Sequence, residues 1–208
     1  MKTLLAAAAA LVLPGAASAA TVFATAVDWS NNGTVGSAND RDDASNALGA
    51  PDGDFLTLGL TNADGTNPGF AVFAFDGLTF GQSDATLWEI TFNCRPNANG
   101  ACNMPEAVDV YYGTDYAFGS GDFADLSDFT LAGTIFNGDA QGGASLVIPG
   151  TFTYIALVDS TLANFPNSSS RDGFEVDALG VNPVPVPGAA LLFAPAIAGG
   201  LIARRRKT

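Results

Sequence analysis

Alternating apolar and polar residues mark the middle of the chain. Trp88, Ile90 and Phe92 are separated by polar residues, and residues 107–112 repeat the same period of two. This period is typical of β-strands with one buried face, so the apolar set is predicted to face the core. Further apolar, β-branched or aromatic runs, separated by clusters of Gly, Asn, Asp and Pro, predict seven more strands. They cover residues 22–27, 55–60, 70–75, 129–136, 146–148, 152–158 and 174–181.

The pattern predicts an all-β fold of about nine short strands, arranged as a β-sandwich or jelly roll. It offers no amphipathic helix beyond a turn or two around residues 43–48. No internal repeat is visible, which argues against a propeller or a solenoid. We therefore predict one sandwich domain over residues 20–181, flanked by two segments of different character.

The N-terminal segment has the form of a secretory signal peptide. Lys2 supplies a positive charge, residues 4–13 are apolar, and residues 17–19 have the small-x-small form of a cleavage site. The prediction is a signal peptide over residues 1–19, cleaved between Ala19 and Ala20.

The C-terminal segment combines a proline motif, an apolar span and a basic cluster. Residues 184–203 carry no charge, and a membrane-spanning helix needs roughly 20 such residues. The basic cluster follows directly and is predicted on the cytoplasmic side. We predict a Pro-Val linker with the motif over residues 182–187, then a single transmembrane helix with a basic end over residues 188–208. The basic end consists of Arg204, Arg205, Arg206 and Lys207.

The motif in this tail consists of Val184, Pro185, Val186, Pro187 and Gly188. The tail resembles the PEP-CTERM class of sorting signals, and most closely its VPLPA variant, although Val186 and Gly188 stand where that family usually has Leu and Ala. The resemblance implies an exosortase-like membrane protease as a partner. It also implies transient anchoring in the inner membrane and export to the surface or extracellular matrix of a Gram-negative bacterium. The alternative is a plain C-terminal membrane anchor.

The charge of the chain is unevenly distributed. All 21 acidic residues lie between the two terminal segments, together with only Arg41, Arg95 and Arg171 of the 8 basic residues. Such a domain repels nucleic acid and anionic membranes. Bound cations or a mostly neutral polysaccharide fit this charge better, while solubility alone is the plainer explanation.

Catalytic chemistry is restricted by two missing residue types. The chain has no histidine, which excludes Ser-His-Asp and Cys-His catalysis and the usual zinc sites. No lysine lies between residues 20 and 183, which excludes a Schiff base or a P-loop there. Paired carboxylates remain, but 21 acidic residues produce a close pair by chance. We therefore predict a protein that is not an enzyme, with a carboxylate-based glycan hydrolase as one alternative.

Cys94 and Cys102 are the only cysteines and bracket a loop rich in Asn, Gly and Pro. In an exported protein such a close pair predicts one disulfide, worth about 2–3 kcal/mol by chain-entropy arguments. A metal pair or a redox pair is the alternative. Neither fits well, because the spacing is not Cys-x-x-Cys and no histidine completes a zinc site.

Residues 46–53, 154–159 and 172–181 resemble a recurrent ectodomain of exported PEP-CTERM proteins. That ectodomain is similar to the galactose-binding-like, or discoidin-like, jelly roll, which implies a structural calcium ion where an early Asp-Gly loop meets the closing strand. Glu175 and Asp177 share one face of the closing strand if its apolar residues face the core, and two carboxylates there repel unless a bound cation or Arg171 offsets them. A polar loop network without metal is the alternative. The implied ligands are Asp52, Asp54, Thr57, Glu175 and Asp177.

These observations predict an exported, non-catalytic surface or matrix protein that is associated with exopolysaccharide or biofilm. A lectin-like module with structural calcium is the first alternative. In that case aromatic side chains would form the sugar platform, although core packing is the more common role of such residues. The candidate platform residues are Trp29, Tyr111, Tyr112, Tyr116 and Phe118.

Overall fold

The computed structural model describes residues 20–91, 94, 95, 98 and 102–183. The predicted signal peptide, sorting motif, transmembrane helix and basic end lie outside these residues. Within them, no helix is both long and apolar enough to cross a membrane. Ala20–Pro183 forms one compact unit.

The described residues are mostly β-strands, as the sequence predicts. The strands are β1 (Val22–Phe23), β2 (Ala26–Trp29), β3 (Leu56–Thr57), β4 (Phe70–Ala74), β5 (Ser83–Trp88), β6 (Ala107–Gly113), β7 (Thr130–Phe136), β8 (Ala144–Ile148), β9 (Tyr154–Asp159), β10 (Glu175–Val176) and β11 (Ala178–Pro183). Two single-turn helices are α1 (Asn137–Ala140) and α2 (Thr161–Asn164), and 3₁₀ turns cover Ala38–Asp40, Ala44–Ala47 and Phe123–Leu126. The short helical turn expected near residues 43–48 is therefore confirmed.

The strands form three antiparallel sheets. Their orders are β1-β11-β5-β8, β2-β4-β9-β6-β7 and the pair β10-β3. The main core draws on both larger sheets, for example Phe73 and Leu157 from the five-stranded sheet and Leu87 and Leu179 from the four-stranded one. Because these side chains are buried together, the arrangement is sandwich-like.

The number and bounds of the strands differ from the prediction in identifiable places. The run at 22–27 divides into β1 and β2, and the run at 174–181 divides at Asp177 into β10 and β11. Strand β11 also continues through Pro183, two residues beyond the predicted end of the domain. Strand β5 was not predicted, because its sequence Ser-Asp-Ala-Thr-Leu-Trp has only a weak apolar rhythm.

The predicted exposure around residue 90 is wrong. Trp88 and Ile90 are only half-buried, whereas Glu89 and Thr91 are buried. No strand forms over the described residues 89–91. The polar residues Glu89 and Thr91 therefore face inward, opposite to the prediction, and the Glu89 carboxylate lies inside the molecule.

A second, smaller core lies on the five-stranded sheet beneath the acidic loop at 114–128. Tyr116 packs there with Val72 and Val158. The Tyr116 hydroxyl donates a hydrogen bond to Asp28 at 2.8 Å, and the same carboxylate accepts the backbone N–H groups of Gly119 and Gly121 at 2.7 and 3.1 Å. The loop is thus fastened to the sheet.

The disulfide predicted between Cys94 and Cys102 is present, with Cα atoms 5.0 Å apart. Cys102 is buried, and its backbone N–H donates to the Asn137 side-chain oxygen at 3.0 Å. The disulfide therefore adjoins α1, which also borders the site described next.

Candidate metal centre

Three glutamates meet at one point inside the fold. Glu89 follows β5 directly, Glu106 immediately precedes β6, and Glu175 begins β10. Each offers a carboxylate oxygen, and these oxygens lie within 4.8 Å of one another. They are the only glutamates in the chain, since the other acidic residues are all aspartates.

Backbone hydrogen bonds fix the positions of these glutamates. The N–H of Glu89 donates to the carbonyl of Ala140 at the end of α1, 3.1 Å away. The carbonyl of Glu106 accepts the N–H of Asn137 at 3.2 Å. Glu175 lies directly opposite Thr57 in the pair formed by β10 and β3. Segments far apart in sequence thus converge on one cluster.

Burial dominates the electrostatics of the cluster. Glu89 is 1% exposed and Glu106 4% exposed, while Glu175 is partly exposed. Loss of hydration raises the pKa of Glu89 to about 8, that of Glu106 to about 9 and that of Glu175 to about 7. The charge of Glu175 further raises the pKa of both other carboxyl groups.

The neighbouring side chains present donors to the cluster. Glu89 accepts hydrogen bonds from the Thr91 hydroxyl and the Gln141 amide. Glu106 accepts one from Asn137 Nδ2 at 3.3 Å. The orientation of Asn137 is fixed, because its Oδ1 accepts the backbone N–H groups of Cys102 and Glu106 at 3.0 and 3.2 Å. Donors of this kind favour the ionised form of a carboxyl group.

Thr57 adds an unusual feature to this region. Its side chain is fully buried, and among the described residues its Oγ1 is the buried side-chain polar atom without a hydrogen-bond partner. Directly opposite residues of an antiparallel pair share a face, so the Thr57 and Glu175 side chains lie side by side. Burial of a hydroxyl without a hydrogen-bond partner lowers the stability of the fold, so this oxygen is a candidate to contact a bound ligand.

A pocket of about 440 Å³ opens the cluster to solvent at Glu175. Arg41 and Phe55 form part of its wall, with the Arg41 guanidinium 5.7 Å from the centre of the Phe55 ring. Arg41 is also ion-paired with Asp172. Arg41, the cation that acts on Glu175 among the described residues, is therefore shared with another carboxylate, and the three glutamates keep a net negative charge when ionised.

The residues named from the sequence as calcium ligands fall into two groups. Thr57 and Glu175 lie together at the cluster. Asp177 instead accepts the backbone N–H groups of Asp52 and Gly53 at 3.0 and 3.3 Å, and Asp52 accepts the N–H of Asp54 at 3.0 Å. Asp177 is 5% exposed and fastens this loop, whereas Asp52 and Asp54 are exposed.

The aromatic residues proposed as a sugar platform are mostly engaged elsewhere. Trp29 donates its ring N–H to the carbonyl of Leu58 at 2.9 Å, and Tyr112 packs edge-on against Phe152. Tyr116 is buried under the acidic loop and Tyr111 is half-buried beside it. Phe118 differs, because it is 40% exposed and stacks on Tyr154 with ring centres 6.0 Å apart.

The cluster could bind a metal ion, since it brings three carboxylates together with little compensating charge. Sequence reasoning missed Glu89 and Glu106. The available signal was the rarity of glutamate, which the chain uses three times among 21 acidic residues. Comparison of the chain with protein-family models finds no match, and a search among curated proteins finds no relative.

Proposed function

We propose that this protein is an exported, non-catalytic β-sandwich protein of the cell surface or extracellular matrix. The Cys94–Cys102 disulfide carries the proposal, because disulfides persist in extracellular and periplasmic compartments and are rare in the cytosol. The tail at 184–208 supports the same destination through its resemblance to sorting signals read by an exosortase-like protease. The excess of aspartate favours neutral polysaccharide over anionic partners.

A structural role for a divalent cation belongs to this proposal, with Ca²⁺ as the ion. Calcium is bound through carboxylate, carbonyl and hydroxyl oxygens, and extracellular modules bind it with dissociation constants of about 10⁻⁴–10⁻³ M. An acidic domain without histidine, and with one disulfide, matches this ion better than zinc or copper.

Intact mass spectrometry of the protein from its native envelope and medium tests the export proposal. We expect a mass that begins at Ala20, ends within residues 184–188 and is two hydrogens short of the reduced chain. A mass that retains the basic end at 204–207 would reject processing and leave a plain membrane anchor. A variant with Pro185 and Pro187 replaced by Ala should retain the tail if the motif directs cleavage.

The stack of exposed Phe118 on half-buried Tyr154 favours a lectin-like module as a second candidate function. The two rings line a pocket of about 350 Å³ that also includes Thr25, Asp76 and Thr153. Aromatic faces beside hydroxyl and carboxylate groups suit a sugar ring. Saturable binding of polysaccharide from the same cells should be lost in Phe118→Ala. It should persist in Leu131→Ala, which removes another exposed apolar side chain on β7.

A further inference from the structure

We propose that Glu89, Glu106 and Glu175, together with the Thr57 hydroxyl, form a calcium-binding site inside the sandwich. The site is distinct from the Asp-Gly loop at 52–54, where the Asp177 carboxylate accepts the N–H of Asp52 and the Asp52 carboxylate accepts that of Asp54. The choice of calcium rests on the proposed function, because export brings the protein into a compartment where weak calcium sites fill. The location of the site rests on its own geometry.

The first argument is the balance of charge. Two buried carboxylates and a third, partly exposed one have oxygens within 4.8 Å of one another, and their donors from Thr91, Gln141 and Asn137 are neutral. Burying these groups in their ionised form without an opposite charge is strongly unfavourable, and in the metal-free protein bound protons offset it, as the raised pKa values of the two buried carboxyl groups indicate. Arg41 does not supply that charge in full, because it is ion-paired with Asp172. A divalent cation at the centre would neutralise most of the charge of the three glutamates.

The second argument is the size of the cluster. Oxygens bound on opposite sides of a calcium ion are about 4.6–5.2 Å apart, twice the usual Ca–O distance of about 2.3–2.6 Å. The three glutamate oxygens lie within 4.8 Å of one another, so an ion at their centre comes within about 2.8 Å of each, and small side-chain movements bring all three to the usual Ca–O distance. Carboxylate oxygens have spare lone pairs, so the bonds that Glu89 and Glu106 already accept do not prevent coordination.

The third argument is the Thr57 hydroxyl, which is independent of the acids. It is fully buried and unpartnered, and it lies beside Glu175. A cation between the glutamates would accept this oxygen as a further ligand and remove the cost of its isolation. The unpartnered hydroxyl is therefore evidence for a bound cation that does not depend on the glutamates.

The surroundings suit a site with defined geometry. Asn137 joins Glu106 to the backbone N–H of Cys102 through one amide group, so Cys102 and the Glu106 carboxylate are held together. The pocket at Glu175 gives an ion a route from solvent. Partners that hold the ligands in place are a general feature of metal sites.

The test uses the full chain as the cell produces it, freed of metal with chelator and then titrated with Ca²⁺ alone. Native-state binding must raise the unfolding midpoint, by about 5–10 °C at a hundred times the dissociation constant in a domain of this size. An unchanged midpoint at millimolar Ca²⁺ would overturn the proposal. The export proposal would be unaffected, because it is tested separately by the intact mass of the protein.

Matched variants locate the site. Glu106→Gln should weaken Ca²⁺ binding by tenfold or more in calorimetric titration, whereas Asp177→Asn, which alters another buried carboxylate, should bind Ca²⁺ like the parent protein. Thr57→Val keeps all three carboxylates and should bind Ca²⁺ less tightly, so it replaces Glu106→Gln if that variant does not fold. Loss of binding in Asp177→Asn with normal binding in both cluster variants would place the ion at the Asp-Gly loop and refute this assignment.

Discussion

The substitution Thr57→Val tests the unpartnered hydroxyl directly. Valine replaces the hydroxyl with a methyl group of similar size and keeps the β-branch that suits a strand. Burial of a hydroxyl without a partner costs about 1–3 kcal/mol in protein mutational data. The metal-free protein should therefore gain about 1–3 kcal/mol in free energy of unfolding, or about 2–4 °C in midpoint for each kcal/mol in a domain of this size.

With Ca²⁺ present the advantage of the variant should shrink. The same substitution then removes an oxygen ligand, so the parent protein should gain more from Ca²⁺ than the variant does. Thermal unfolding followed by circular dichroism, with chelator and with Ca²⁺ at one pH, measures both effects. The comparison rests on the increase in midpoint that the same Ca²⁺ concentration causes in each of the two proteins.

Thr161→Val is the matched control. Thr161 is also fully buried, but its hydroxyl donates to Asp159 at 2.6 Å and accepts the N–H of Ala107 at 3.2 Å. Hydrogen bonds to charged groups are worth about 1.5–3 kcal/mol, so this variant should lose stability with and without Ca²⁺. If Thr57→Val also loses stability in chelator, the hydroxyl has a partner in the folded protein and our reasoning about it fails.

Three other predictions concern the loop, the disulfide and pH. Asp177→Ala removes two hydrogen bonds to the loop at 52–53 and should lower the free energy of unfolding in urea by about 1–3 kcal/mol, with or without Ca²⁺. The loss stays within this range because water replaces part of the hydrogen bonding. A loss seen only with Ca²⁺ would contradict this role. Replacing Cys94 and Cys102 together with Ser should cost about 2–3 kcal/mol in the same assay, and an unchanged midpoint would mean that the bond is not formed in the purified protein. In chelator the free energy of unfolding should fall between about pH 4.5 and 9. Burial raises the folded-state pKa of the three glutamates to about 7–9, above their ordinary value of 4.5, so the folded state holds more protons than the unfolded state across that window. Urea midpoints measured from pH 5 to 9 check this, and a rise across the range would refute the burial argument.

The sequence indicates the β-class well wherever apolar residues are large and regularly spaced. The runs at 70–75, 129–136 and 152–158 coincide closely with β4, β7 and β9. Strand β5 was missed because two of its three alternating inward residues, Ser83 and Ala85, are small and only Leu87 is large. Its burial depends on partners from β8 and β11. A local pattern does not contain that tertiary information.

The candidate site could be predicted only in part. Thr57 and Glu175 were named through a resemblance, and the structure places them opposite each other. Glu89 read as an exposed residue because bulky Trp88 and Ile90 flank it, yet those two side chains are half-buried and Glu89 is inside. Glu106 precedes its strand and carries no periodic signal. The three glutamates are brought together by the sheet topology, which cannot be deduced from the residues around each of them.

The position of β11 has a mechanical consequence. This strand is flanked by β1 on one side and β5 on the other, and it pairs with β5 along its whole length to Pro183. A pull applied to the chain beyond Pro183 would run along the strand, so the backbone bonds on both sides would be loaded in shear and would have to yield together. A sandwich tethered at this end would resist tension far better than one tethered through an edge strand, whose bonds would open one at a time.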